Sequence, residues 1–266
     1  MYRFVPGRFL CVVAVVALAG LVGQARAAIK TQLIEYKQGD TTLEGYLAYD
    51  DSIQGKRPGV LIVHEWDGLG DYAKMRADMV AKLGYVAFAA DIYGKGVRPK
   101  NAQESAAEAG KYGRDRALMR ARAIAGLDQL KNNPMVDPNK IAAIGYCFGG
   151  TTVLELARSG ADIAGVVTFH GGLSNPTPED AKKIKAKVLV LAGADDPLVP
   201  QKDIEQFQKD MRDAKVDLAY VSYSGTLHAF TNPKVSDPAH GVQYNAVSDK
   251  RSWQAMKDFF AEIFGQ

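Results

Sequence analysis

The chain has 266 residues, of which 47% are hydrophobic and 24% charged, a balance typical of a globular protein with a well-buried core. This length fits one large α/β domain, although length alone also allows two smaller ones. The net charge of +3 comes from three arginines in the first 27 residues, and residues 28–266 carry 30 basic and 30 acidic side chains. That neutral balance gives no reason to expect nucleic acid or an anionic membrane as a partner.

Residues 1–27 have the pattern of a secretory signal peptide. Two arginines precede and flank an apolar stretch that ends near Gly23, and Ala25-Arg26-Ala27 forms a small-residue cleavage site. We therefore expect residues 1–27 to be cleaved, residues 28–266 to form a single domain, and the protein to be periplasmic or secreted. An uncleaved membrane anchor is the competing interpretation, but the apolar run is short for a span. No stable membrane association is expected after cleavage.

The first part of the remaining chain predicts a β-hairpin followed by one β-α-β unit. Strand patterns at 31–37 and 43–49 flank turn residues, which indicates an antiparallel hairpin. An apolar strand at 60–63 then precedes a helical pattern at 71–83 and a strand at 85–90. Continuous apolar strands of this kind belong to a parallel sheet that is covered on both faces.

The rest of the chain keeps alternating helices and strands. Helical patterns at 102–109 and 114–131 are separated by a predicted break at Gly110 and Gly113. This alternation predicts an α/β fold with a mostly parallel, doubly wound sheet, which binds ligands beyond the carboxyl ends of its strands. The further strands are predicted at 141–144, 163–169, 187–191 and 218–223, and the further helices at 151–158, 203–214 and 248–264.

The sequence Gly145-Tyr146-Cys147-Phe148-Gly149-Gly150 has the form of a nucleophile elbow. In that motif the nucleophile occupies a strained turn between a strand and a helix, and small residues on both sides allow the backbone to fold tightly. Here Cys147 stands where serine is usual, and a helix N-terminus favours its thiolate. Loss of Cys11 with the signal peptide leaves Cys147 as the only cysteine, so no intramolecular disulfide can form. The alternative interpretation is a buried, unreactive thiol.

A catalytic cysteine needs a base and a group that orients the base, and in α/β-hydrolases these follow in the order nucleophile, acid, histidine. Asp196 follows one predicted strand and His228 follows the next. His240 is the other histidine beyond the acid, but no strand precedes it. Asp195 is the alternative acid. His228 and Asp196 are therefore the preferred base and acid.

No metal or cofactor is expected. His64 and His170 also follow strands, where a histidine is usually a structural or pocket-lining residue. The chain has no cluster of His, Cys and Asp with metal-ligand spacing. It has neither the Gly-x-Gly-x-x-Gly fingerprint nor a Lys-Ser or Lys-Thr pair after its glycine-rich turn, so phosphate binding is disfavoured as well.

These residues together resemble the dienelactone hydrolase family of the α/β-hydrolases, over nearly the whole of residues 28–266. The resemblance is carried by the elbow around Cys147, the His64-Glu65-Trp66 loop, the Asp91-Ile92-Tyr93-Gly94 segment, the turn at Asp196, and His228-Ala229-Phe230. It implies an α/β-hydrolase fold without a cofactor, and a small-molecule ester or lactone as substrate.

The resemblance also implies roles for individual residues. Cys147, His228 and Asp196 would form a triad that attacks the carbonyl carbon. The backbone N–H groups of Phe148 and Trp66 would hold the carbonyl oxygen.

Further residues of the site follow from the same resemblance. Glu65 matches a family carboxylate that interacts with the resting thiol and helps to activate it, the alternative being a solvated loop acid. Tyr93 and Lys95 would belong to the pocket. Family members grip the substrate carboxylate with two arginines, and the matching positions here are Lys95 and Asn232, neither of which offers a bidentate fork. Arg98 is a candidate to bind the substrate carboxylate in place of these arginines.

The sequence thus predicts an exported ester or lactone hydrolase that forms an acyl-cysteine intermediate. A non-catalytic member that binds a small ligand in the same cleft is the main alternative. A redox-sensing role for Cys147 would commonly need a resolving cysteine, which residues 28–266 lack.

Overall fold

A computed structural model describes residues 1–2 and 28–265 of the chain. The predicted signal peptide falls almost wholly on residues 3–27, outside the described residues, and that prediction stays untested. Among the described residues, no helix has both the length and the apolar character that a membrane crossing requires.

The predicted hairpin and the alternation of strands and helices are confirmed. The longer strands are β1 (Ile29–Gln38), β2 (Thr41–Asp50), β3 (Arg57–Val63), β4 (Val86–Ala90), β5 (Val136–Tyr146), β6 (Gly165–Phe169), β7 (Lys187–Gly193) and β8 (Leu218–Tyr223). The helices are α1 (Asp71–Ala81), α2 (Ala102–Arg114), α3 (Arg116–Lys131), α4 (Phe148–Arg158), α5 (Gln201–Asp213) and α6 (Ala246–Phe264). Two-residue strands β9 (Ser236–Asp237) and β10 (Val242–Gln243) and two short 3-10 turns complete the described part.

Eight strands form one twisted sheet in the order β1-β2-β4-β3-β5-β6-β7-β8. The first two strands pair antiparallel with each other, and β2 pairs antiparallel with β4. All pairs from β4 through β8 are parallel. The carboxyl ends of β3, β5, β6 and β7 therefore meet at one edge, where ligands bind in sheets of this type.

Alternate residues of the central strands feed two separate cores, because successive side chains of a strand point to opposite faces. In β3, Leu61 and Val63 pack with α3 and α4, whereas Val60 and Ile62 pack with α1 and α6. All four side chains are fully buried, which explains the uninterrupted apolar run in the sequence. The sheet is thus covered by helices on both faces, as the doubly wound pattern predicts.

The predicted break between the second and third helices was wrong in its position. Gly110 and Gly113 lie inside α2, and the two helices are divided at Asp115. The carboxylate of Asp115 accepts a hydrogen bond from the N–H of Leu118 at 2.9 Å and so caps α3. A side-chain cap at a helix start is a stronger boundary than glycines within a helix.

Candidate active site

The nucleophile elbow is a tight junction between β5 and α4. Cys147 has φ of 52°, a conformation that costs a non-glycine residue about 1–3 kcal/mol and is typically found at functional sites. A Cβ atom on Gly145 would lie 2.0 Å from the carbonyl oxygen of Gly149, and one on Gly149 would lie 2.2 Å from that of Val63. Only glycine fits at these two positions, as the motif predicts.

The backbone of Cys147 is held from the neighbouring strand. Its N–H donates to the carbonyl oxygen of Phe169 at 3.0 Å and to Nδ1 of His170 at 3.1 Å. Nδ1 of His170 is therefore an acceptor, and its Nε2 donates to the hydroxyl of Thr231 at 2.7 Å. Burial holds the pKa of His170 well below its usual range, so the ring is neutral, which this pair of bonds requires.

His228 and Asp196 are brought together at the carboxyl edge of the sheet. Nδ1 of His228 lies 2.7 Å from Oδ2 of Asp196, and both side chains are buried. Asp195, the alternative acid, is exposed. The N–H of His228 donates to the carbonyl oxygen of Gly241 at 3.1 Å, which fixes the backbone that carries the ring.

The environment of His228 favours its charged form. Burial lowers the pKa of the ring, but its interactions with Cys147 and Asp196 outweigh burial and raise this pKa to about 10. Nε2 is buried and has no close hydrogen-bond partner among the described residues. Cys147 is thus near enough to influence the His228 ring, and Nε2 is available to exchange a proton.

Glu65 is a buried acid at this site and not a solvated loop residue. Its side chain is 6% exposed, and its Oε2 accepts a hydrogen bond from the side-chain amide of Asn232 at 2.6 Å. Burial raises the pKa of Glu65 to about 7. The carbonyl oxygen of Glu65 accepts a hydrogen bond from Nδ1 of His64 at 2.6 Å, so His64 positions the loop.

Burial lowers the pKa of His64 to about 4. Its Nε2 accepts a hydrogen bond from the N–H of Ile92 at 3.2 Å. His64 is thus a neutral structural residue, as expected for a histidine at a strand end.

The two predicted oxyanion donors lie on opposite sides of the nucleophile in the sequence. Phe148 is the first residue of α4, and an N–H group in the first helical turn has no acceptor within its own helix. The carbonyl oxygen of Trp66 accepts a hydrogen bond from the hydroxyl of Tyr93 at 2.9 Å. Tyr93 therefore holds the Trp66 loop through this bond and packs against Phe148, with ring centroids 5.3 Å apart.

The side chains of Lys95 and Arg98 do not line the pocket beside Cys147. Lys95 forms an ion pair with Glu35 on β1 and is absent from the residues that line the pocket beside Cys147. Arg98 donates to the carbonyl oxygens of Leu69 and Val97, both at 2.7 Å. Neither cation is directed at the nucleophile.

A pocket of about 540 Å³ opens beside the nucleophile, a volume suited to a small organic molecule. Among the described residues, no group of three or more His, Cys, Asp or Glu side chains could hold a metal ion. The residues that line the pocket are Glu65, Trp66, Ala102, Cys147, Leu198, His228, Ala229, Val235, Asp237, His240 and Val242.

A buried polar network behind the site was not predicted from the sequence. The hydroxyl of Thr231 lies 2.6 Å from that of Tyr72, and the carbonyl oxygen of Thr231 accepts from Arg76 at 2.6 Å. Arg76 also pairs with Asp249 on α6 at 2.6 Å. The segment from His228 to Asn232 therefore carries the ring of the base and the partners of both His170 and Glu65. The only signal in the sequence was the position of His170 at a strand end.

The described fold, with a strained elbow between β5 and α4, defines the class of α/β-hydrolases. The model of the dienelactone hydrolase family matches residues 43–264. The chain belongs to the dienelactone hydrolase family and is a hydrolase of that family.

Similar proteins span most of the chain. A solved structure titled m3DLH is 43% identical, covers 89% of this chain and 99% of its own, and superposes with a TM-score of 0.85. The dienelactone hydrolase-like promiscuous phosphotriesterase P91 from metagenomic libraries is 41% identical with the same coverage and a TM-score of 0.85. Protein usf of Aquifex pyrophilus is 29% identical over 87% of this chain and 98% of its own.

Proposed function

We propose that the chain hydrolyses a small carboxylic ester or lactone through Cys147, His228 and Asp196. The observation that carries the proposal is the contact of 2.7 Å between His228 and Asp196, in a pocket that Cys147 also lines. A protonated His228 stabilises a thiolate on Cys147, since the two charges are opposite. The nucleophile is thereby prepared before the substrate binds.

The reaction proceeds in two steps. Sγ of Cys147 attacks the carbonyl carbon, the bond from that carbon to the leaving oxygen breaks, and His228 gives its proton to the leaving oxygen. Water then attacks the thioester, His228 takes a proton from it, and the sulfur leaves as thiolate. The N–H groups of Phe148 and Trp66 stabilise the oxyanion in both steps, and Glu65 helps to activate the thiol.

Mass spectrometry tests the assignment of the nucleophile. The protein is mixed with an activated aryl ester, quenched in acid within milliseconds and digested. We expect an acyl group on Cys147 and none in the Cys147→Ala variant. An acyl group on another residue would overturn the proposal, and a protein that binds the ester without any adduct or turnover would be the non-catalytic alternative.

Phosphotriesters are a second candidate substrate, because P91 at 41% identity is named as a promiscuous phosphotriesterase. The same thiolate would attack phosphorus in place of carbon. Release of 4-nitrophenol from diethyl 4-nitrophenyl phosphate by the protein, and its absence with Cys147→Ala, tests this activity. Equal release by both proteins would place the activity elsewhere.

We also propose that the protein is exported and cleaved after Ala27 to give a single domain, on the signal-peptide pattern of residues 1–27. N-terminal sequencing of the protein from the periplasm or medium should begin at Ala28. Recovery of uncleaved chain from the membrane fraction would support the anchor instead. No nucleic acid partner and no cofactor are proposed.

A further inference from the structure

The pocket beside Cys147 has a largely apolar lining among the described residues. Of its described lining residues, none is lysine or arginine, and six are apolar, namely Trp66, Ala102, Leu198, Ala229, Val235 and Val242. Its ionisable members besides Cys147 are two carboxylates and two histidines. A substrate carboxylate would therefore leave water without gaining a lysine or arginine as its partner.

The buried carboxylate of Glu65 contacts no counter-ion within the part of the chain that the structure describes. Its hydrogen-bond partner is the neutral amide of Asn232 at 2.6 Å. Asp67 opposes its ionisation, and His228 and Arg76 favour it from farther away. Burial is the largest influence and raises the pKa of Glu65 to about 7, so above neutral pH the pocket wall is negatively charged.

Three basic side chains near the site bind groups outside the pocket. Lys95 pairs with Glu35, Arg76 binds Asp249 and the carbonyl oxygen of Thr231, and Arg98 binds backbone carbonyls. None of these three basic residues lines the pocket. Drawing one of them inward would break contacts that the fold already uses.

Both histidines of the pocket are matched by an acid. His240 lies at the exposed rim with Nδ1 2.8 Å from Oδ2 of Asp237. His228 lies 2.7 Å from Asp196. Each ring thus already contacts a carboxylate, whereas the carboxylate of Glu65 contacts only a neutral amide.

We propose that this site selects uncharged, apolar esters or lactones and discriminates against substrates that bear a carboxylate close to the reacting carbonyl. The inference rests on the proposed ester hydrolysis at Cys147, but it concerns only which esters or lactones the site accepts as substrates. Two residues determine this specificity. Glu65 supplies the negative charge that repels a substrate carboxylate, and Asn232 binds Glu65 without neutralising that charge.

A matched pair of substrates isolates the effect of charge. The two esters are 3-(butanoyloxy)benzamide and 3-(butanoyloxy)benzoate, which differ in one uncharged or charged substituent of similar size. Their kcat/KM values are measured at pH 8.5 and divided by their rates of hydroxide hydrolysis. We expect the charged ester to be at least about tenfold poorer, and the ratio to shrink as pH falls below 7, because Glu65 then binds a proton.

Two variants identify the source of the discrimination. Glu65→Gln removes the charge and keeps an acceptor for Asn232, so the ratio at pH 8.5 should fall to about threefold or less. Any loss of thiol activation in this variant affects both esters and cancels in the ratio. Asp237→Asn removes an exposed rim charge instead and should leave the ratio within about twofold of the original.

The outcomes separate this inference from the proposed function. Equal use of both esters by the unaltered protein, or a ratio that Glu65→Gln does not change, would overturn the charge selection while leaving Cys147 catalysis intact. If neither ester is turned over, calorimetric titration of Cys147→Ala with the two compounds decides the question. Tighter binding of the benzamide would uphold the selection although the catalytic proposal had failed, and equal or tighter binding of the benzoate would overturn it.

Discussion

The buried Glu65 makes a prediction about stability that does not depend on any substrate. Burial raises its pKa from 4.5 to about 7, so between these values the folded protein retains a proton that the unfolded chain has lost. The free energy of unfolding therefore falls as pH rises through this window, and it levels off above pH 7. This is opposite to the behaviour of a salt-bridged carboxylate.

The magnitude follows from the two pKa values. Each pKa unit corresponds to about 1.4 kcal/mol, and integration over the window gives a cost of about 1 kcal/mol at pH 5 and about 3 kcal/mol at pH 7.5. In the Glu65→Gln variant the new side chain has nearly the same shape but does not ionise. Its amide oxygen can still accept a hydrogen bond from Asn232. The difference in unfolding free energy between the variant and the unaltered protein should therefore shift in favour of the variant by about 2 kcal/mol from pH 5 to 7.5.

Urea denaturation at pH 5.0, 6.0, 7.0 and 7.5 measures this difference, because all other titrating groups are common to both proteins and largely cancel. Asp237→Asn serves as the control, since the Asp237 side chain is 52% exposed and its replacement should change stability by less than about 0.5 kcal/mol at every pH. If the difference in unfolding free energy between Glu65→Gln and the unaltered protein stays constant with pH, Glu65 is not a buried, uncompensated carboxyl group.

Three further outcomes are expected from the structure. Replacing His228 with alanine should lower kcat/KM for an aryl ester by about 100-fold or more, measured by stopped-flow absorbance, and near-normal turnover would mean that another residue is the base. Gly145→Ala places a Cβ atom 2.0 Å from the oxygen of Gly149 and should leave little soluble protein on expression, whereas normal yield and melting temperature would contradict the described elbow. Arg76→Leu removes the guanidinium that binds Asp249, the carbonyl oxygen of Thr231 and the hydroxyl of Tyr72. It should cost about 3 kcal/mol in urea denaturation, a cost that a peripheral arginine would not show.

The sequence was most informative where structure is determined locally. The elbow could be predicted because its glycines flank the nucleophile at fixed short spacings. Gly145 is required by an atom of Gly149, four residues away, although Gly149 is itself required by the distant Val63. The hairpin and the parallel strands could be predicted because alternation and apolar runs reflect which faces are covered. The break assigned to Gly110 and Gly113 failed for a related reason, since glycine permits a helix end without requiring one.

The partners of Glu65 and Lys95 could not be predicted in this way. Asn232 lies 167 residues beyond Glu65 in the chain, and no local pattern links an amide to a distant acid. Lys95 is 60 residues from Glu35, so its removal from the pocket depends on where β1 lies in the sheet. The burial of Glu65 likewise depends on the packing of loops that are far apart in the sequence.

The segment from His228 to Asn232 has a consequence for how the protein loses activity. The base, the hydroxyl that holds His170 behind Cys147, and the amide on Glu65 all lie within these five residues, and Arg76 anchors them from α1. Loosening this segment would displace all three groups at once. Thermal inactivation should therefore be all-or-none: the molecules that remain active during partial heating should keep the pH profile and substrate preference of the unheated enzyme.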